Sequence, residues 1–205
     1  ITGADPHRAG HELNYFPGEV NLRMADVAVI NKIDSSYPND IQTVRENIAK
    51  VNPNATVIDG ASPITVDDAS VIKGKRVLVV EDGPTLTHGE MKIGAGTVAA
   101  QKFGAKEIVD PRPYTVGRLQ ETFKTYPNIG ALLPAMGYGE EQIKDLEKTI
   151  NKTDCDSVII GTPIDLNRIV NIKKHNTRVY YDLDEIGKPD MNEMIEEFIQ
   201  KHNLK

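Results

Sequence analysis

Short apolar runs and helix-spaced apolar stripes alternate along this chain. Val27–Ile30, residues 76–80 and Ser157–Ile160 are nearly unbroken apolar runs, the pattern of strands covered on both faces of a parallel sheet. Residues 56–58, 107–109, 131–133 and 178–181 predict further strands. Between the runs, apolar residues recur at helical spacing: Ile41, Val44, Ile48 and Val51, then residues 98–103, then Val116, Leu119 and Phe123, then Ile143, Leu146 and Ile150. A final helix starts at Asp190 with Met191, Met194, Ile195 and Phe198 inward. Regular strand–helix alternation gives an α/β fold with mostly parallel sheets flanked by helices. Residues 1–24 are rich in Pro and Gly and read as a strand end followed by a long structured loop, with Val20, Leu22 and Met24 packing a short helix. The polar stretch 65–75 reads as a linker, which divides the chain into residues 1–72 and a Rossmann-like α/β domain over residues 73–205.

The first run delivers Asn31, Lys32 and Asp34 into the loop at its carboxyl end, where α/β sheets collect ligands. Guanine presents two adjacent N–H donors, and an in-plane carboxylate, here Asp34, accepts both. The Lys32 stem suits the face of the base, and Asn31 suits tying the loop to its neighbours. Ala61 and Ser62, after the adjacent strand, suit presenting backbone N–H groups to the guanine oxygen. The same residue types also form ordinary polar turns and strand ends. Arg8, in the mobile-looking first loop, offers charge to a nucleotide's phosphate end. His7 and His11 stand four apart, but in a Pro/Gly-rich loop that spacing does not point to a metal.

In the second half, Glu81-Asp-Gly-Pro-Thr-Leu-Thr-His-Gly89 follows the strongest strand, and Gly94-Ala-Gly96 opens a helix. A Gly-rich passage from strand to helix N-terminus suits an anion, although the Lys-Ser/Thr pair of a phosphate-binding P-loop is missing. Parallel strands joined by right-handed crossovers place their carboxyl ends on one edge. Asp82, Thr85, Thr87, His88, Asp110, Arg112, Thr162 and Asp165 are therefore expected around one crevice that takes a phosphorylated or acidic small molecule. Helix capping is the competing role for the Asp and Thr residues, and for Asp165 it is the favoured one.

The 205 residues are 39% hydrophobic and 26% charged, which is enough apolar content for a packed core. A net charge of −6 argues against nucleic-acid or acidic-membrane partners. The single cysteine, Cys155, points to a reducing, cytoplasmic compartment. No apolar run reaches the length of a membrane span. A start at Ile1, already at the end of a strand, reads as a piece of a longer protein.

The Ala25–Asp34 stretch resembles the base-recognition strand of the GTPase class that includes nickel-insertion chaperones. Asp5-Pro-His-Arg8, Met24-Ala-Asp26, Ala61-Ser-Pro-Ile64, residues 81–89, Asp110-Pro-Arg-Pro-Tyr114 and Gly161-Thr-Pro-Ile-Asp-Leu166 resemble the C-terminal part of cyclic 2,3-diphosphoglycerate synthetase-like proteins, also described as predicted P-loop GTPases. That resemblance implies a partial P-loop NTPase-like half followed by a Rossmann-like domain. It also implies an earlier half carrying the P-loop lysine and the Mg²⁺-binding residues, so this chain alone is expected to be inactive. GTP, or ATP, with Mg²⁺ is the implied cofactor set. The implied activity is GTP-preferring NTPase chemistry on a small molecule. The alternatives are a non-catalytic GTP-binding switch with a protein partner, and an ATP-dependent ligase forming the cyclic diphosphoglycerate. Expected partners are the nucleotide, the small molecule, the missing half of the protein and, in an oligomer, further copies of the chain.

Overall fold

Two sheets organise the chain in the computed structural model, which describes residues 1–83 and 94–203. One sheet belongs to a unit made of residues 1–63 and 182–205, the other to a unit made of residues 64–181. Both are mostly parallel and flanked by helices, the α/β class that the alternating pattern predicts.

In the first unit, β1 (Thr2–Ala4), β2 (Val27–Ile30) and β3 (Thr56–Ala61) run parallel, with Val29 opposite both Gly3 and Ile58. Two short helices, α1 (His11–Asn14) and α2 (Gly18–Met24), fill the first loop, and α3 (Pro38–Val51) follows β2. The helical stripe of α3 buries Val44 and Ile48 completely against Ala4, Leu22, Ala28 and Ile30. The Asn52 side chain donates to the carbonyls of Leu22 (2.9 Å) and Ala25 (2.7 Å), which satisfies the otherwise open end of α2. Met24, expected inward, is exposed: it lies two residues beyond the buried Leu22 and so about 200° around a narrow helix.

The second unit, from Ile64 on, takes in the whole stretch read as a linker. There, β4 (Thr65–Val66) pairs antiparallel with β9 (His175–Tyr180), a 3₁₀ turn spans Ala69–Val71, and Ile72 is fully buried in the core. The central strand is β5 (Arg76–Asp82). Its start pairs with β6 (Glu107–Ile108) and its end with β7 (Leu133–Ala135), while β8 (Ser157–Ile160) lies along its other side and β9 (His175–Tyr180) next to β8. The strand expected at residues 131–133 starts two residues later because the chain is still turning there, with Leu132 N–H bonded to the Gly130 carbonyl. Helices α4 (Ala95–Lys102), α5 (Arg118–Thr125) and α6 (Glu140–Lys152) complete this unit. Val77 to Val80 and Val158 to Ile160 have no exposed surface.

The chain then returns to the first unit. Strand β10 (Asp184–Ile186) pairs antiparallel with β3, Glu185 opposite Gly60, and α7 (Met191–Lys201) follows. Asp190 and Glu193 form a reciprocal capping box at its start. Met191 and Met194 cover Val27, Val29 and Ile58. Ile195 and Phe198, expected inward, are 44% and 48% exposed, because the buried patch on that face consists of only those three residues.

Candidate functional site

The loop after β2 is held by its own hydrogen bonds. Asn31 Oδ1 accepts from Lys32 N–H at 2.8 Å, and the Lys32 carbonyl accepts from the Ser36 hydroxyl at 2.8 Å. Lys32 adopts φ +60°, a left-handed conformation that is uncommon for a residue with a side chain. Its Nζ reaches Asp5 Oδ2 at 2.6 Å, and the His7 ring nitrogen Nε2 lies 3.0 Å from the Ser35 hydroxyl. The Asp5-Pro-His segment is thereby bound to the loop that carries Asp34. The Asn31 side chain bonds to the adjacent Lys32 amide rather than to a neighbouring segment, and Lys32 Nζ pairs with Asp5.

Asp34 Oδ1 accepts the Ser62 backbone N–H at 2.9 Å, so two residues 28 apart in sequence meet because β2 and β3 are neighbours. The Asp34 residue is exposed, which leaves a surface carboxylate fixed in direction by a backbone amide. The Ser62 amide is thus directed at Asp34. Ala61 is buried and sits in register with Asp184 of β10.

In the second unit, β5 ends in Glu81 and Asp82. Glu81 is 2% exposed, and its carboxylate takes the N-terminus of α4. Thr97 donates to Glu81 Oε1 through its N–H (2.8 Å) and its hydroxyl (3.1 Å), and the Gly96 and Gly94 amides add to this. Burial pushes the Glu81 carboxyl above the usual range, and these four hydrogen bonds pull the other way. The amides expected to meet an external anion are therefore met by the protein's own carboxylate. Glycines make room for it: a Cβ at Gly161 would stand 2.7 Å from Glu81 Oε2.

The chain visits β6 and β7 on one side of β5 before crossing to β8 on the other. That is the topological switch at which α/β sheets open a crevice. Asp82, Tyr138 and Thr162 gather there. Burial, and then the charge of Asp82, push the Tyr138 phenol upward, against a hydrogen bond with Thr162. Thr162 is 2% exposed and donates its hydroxyl to the Ile164 carbonyl at 2.8 Å. A concavity of about 540 Å³ reaches the carboxyl end of β7 between α5 and α6, lined among others by Arg118, Tyr126, Met136, Gln142 and Asp145.

Arg112 and Asp165 make contacts of their own. Arg112 pairs with Asp110 at 2.9 Å, donates to the Ile129 carbonyl and lies over the Phe123 ring at 4.9 Å, contacts that tie α5 to its flanking loops. Asp165 caps the 3₁₀ turn Leu166–Arg168 through Asn167 N–H (3.2 Å) and faces Arg178 at 3.7 Å. Thr85, Thr87 and His88 lie outside the described residues. Tyr138 and Arg178 stand at the crevice edge without having been singled out in the sequence. Among the described residues, no three His, Cys, Asp or Glu side chains gather as a metal set. No described helix is long and apolar enough to cross a membrane.

No family model matches the chain. Over 198 residues, 97% of its length, it is 64% identical to a protein named arginine synthetase ArcE from Thermococcus kodakarensis. The chain spans 44% of that protein, so it corresponds to part of a larger relative. The relative is a synthetase, though its name is not that of a cyclic 2,3-diphosphoglycerate synthetase.

Proposed function

We propose that this chain supplies part of a nucleotide-dependent synthetase that forms arginine or a close guanidino compound. In this reading the first unit completes a purine-nucleotide site and the second binds the small molecule. The observation that carries it is the 64% identity to a protein named a synthetase over 97% of the chain. The P-loop and the Mg²⁺ ligands belong to polypeptide outside these residues, in keeping with the sequence resemblance. A synthetase draws on cleavage of a nucleotide phosphoanhydride, chemistry in which the protein's contribution is chiefly positioning and charge stabilisation.

Asp34 is the base acceptor in this reading. Guanine fits it with two adjacent donors, which is the GTP preference expected from the Asn-Lys-x-Asp order. One observation favours ATP as a second reading: Ser62 N–H already engages Oδ1, and the single amino group of adenine needs one remaining acceptor site. The cyclising ligase keeps the same logic of nucleotide-driven bond formation with a different product.

The test is product formation by the full-length polypeptide carrying this chain, with GTP or ATP and Mg²⁺, alongside nucleotide titration of wild type and Asp34→Asn. Loss of a two-donor, charge-assisted contact corresponds to about 10- to 100-fold weaker binding of the preferred nucleotide. Unchanged affinity and selectivity in Asp34→Asn would remove Asp34 from the base site. Absence of any nucleotide-dependent arginine formation would sink the synthetase reading.

A further inference from the structure

Arg178 lies opposite Ile160, the last residue of β8, so its side chain starts level with the loop that carries Gly161, Thr162 and Asp165. A guanidinium offers five N–H donors. Those of Arg178 are loosely used. NH1 stands 3.7 Å from Asp165 Oδ2, NH2 stands 3.4 Å from the Pro163 carbonyl, and the Tyr180 ring lies 5.2 Å away. Its Nε is buried and has no hydrogen-bond partner among the described residues. Arg45 shows what a committed arginine looks like here: its NH2 meets both oxygens of Asp59 at 2.6 and 2.8 Å. Buried donors in native proteins are paired, and an exception at a ligand-collecting sheet edge points to a missing acceptor.

We propose that Arg178 receives an oxyanion of the small molecule handled by the second unit, a carboxylate or a phosphate. Asp165 is the counter-ion that this group displaces. The planar guanidinium fork matches two oxygens of either group, which the long contact to Asp165 does not exploit. Tyr180 supports one face of the fork, and Thr162 lies in the same loop as the displaced Asp165. The proposal rests on the synthetase reading for its substrate class, and it moves the cationic role from Arg112, whose guanidinium already holds Asp110 and the Ile129 carbonyl, to Arg178, whose buried Nε has no partner among the described residues.

The experiment is calorimetric titration of the full-length protein with L-arginine, with agmatine (the same guanidine without the carboxylate) and with inorganic phosphate. Arg178→Gln is expected to weaken either L-arginine or phosphate at least 10-fold while agmatine is unchanged; the ligand that weakens identifies the oxyanion. Arg178→Lys, which keeps the charge and loses the fork, is expected to recover part of the affinity. Should Arg178→Gln fold poorly, Asp165→Asn serves, since Asn still caps the turn. It frees Arg178 and is expected to tighten the same ligand several-fold. Wild-type affinity of Arg178→Gln for all three ligands, equal weakening of all three, or no change in Asp165→Asn overturns the proposal. Failure of nucleotide-dependent synthesis, with the Arg178 effect intact, would remove the synthetase reading alone.

Discussion

Glu81 is a carboxylate with almost no exposed surface, surrounded by N–H and O–H donors from Gly94, Gly96 and Thr97. Its folded-state value is raised, with burial the leading cause, so the folded protein binds a proton at Glu81 over a range where the unfolded chain has released it. The stability this contributes is complete below the ordinary glutamate value and is lost as pH rises through the raised one. Urea denaturation across that window should show wild-type stability falling with pH, and Glu81→Gln should lack that part of the slope. A wild-type curve flat through the window would mean that the helix amides fully offset the burial. This arrangement was poorly legible: a glutamate directly after Val-Leu-Val-Val reads as a strand end, and nothing local says that a helix 14 residues later will close over it. Asp34 stands in a motif that directly follows a buried run, whereas the Ser62 amide, expected to face a guanine oxygen, is directed at Asp34 itself. Arg178 was hidden in β9, where polar and apolar residues alternate and an arginine reads as the solvent side of a strand.

Among elements, the join of α4 to β5 and β8 is tight because glycines permit it. A Cβ at Gly161 would stand 2.7 Å from Glu81 Oε2 and equally close to the Gly96 amide nitrogen, with the Gly96 Cα at 3.0 Å. Two of these three neighbours are backbone, which cannot swing aside. Gly161→Ala is therefore expected to cost about 1–3 kcal/mol as overpacking. The measurement is a denaturant midpoint shift at unchanged slope, with rearranged amide signals at Gly96 and Thr97. No shift would mean that α4 can draw back from the sheet. The strands β2, β5 and β8 and the helices α3 and α6 stood out in the sequence because strong apolar runs or stripes define them. Strand β10 did not: its three residues, Asp-Glu-Ile, carry no apolar pattern, and its existence depends on β3 being available more than a hundred positions earlier. Residues 65–75 misled for a related reason. Their polarity is that of a linker, yet Ile72 is fully buried and Asp68 N–H donates to the Thr177 hydroxyl at 3.0 Å.

Across the molecule, one unit is continuous in sequence and the other is not. Residues 64–181 hold their own sheet and a core running from Ile72 to Val179, whereas residues 1–63 depend on 182–205 for an edge strand and a covering helix. Without α7, the face formed by Val27, Val29 and Ile58 would lose Met191 and Met194 and meet water. Met191 and Met194 are partly buried, so each contributes less than the about 1.5–3 kcal/mol of a fully buried methionine; against domain stabilities of about 5–15 kcal/mol the loss still weakens the smaller unit. The hydrogen bonds of β10 to β3 would go with it, opening the sheet edge beside Ala61 and the Ser62 amide that holds Asp34. Ending the chain at Tyr181 should therefore leave the amides of β5 and β8 protected from hydrogen exchange while those of β2 and β3 exchange much faster. Nucleotide binding by the truncated full-length protein should weaken through the same loss of Ser62–Asp34 geometry. Uniform loss of protection in both units would show that they unfold as one cooperative body. Unchanged protection in β2 and β3 would show that α3 and the first loop suffice to hold the first sheet.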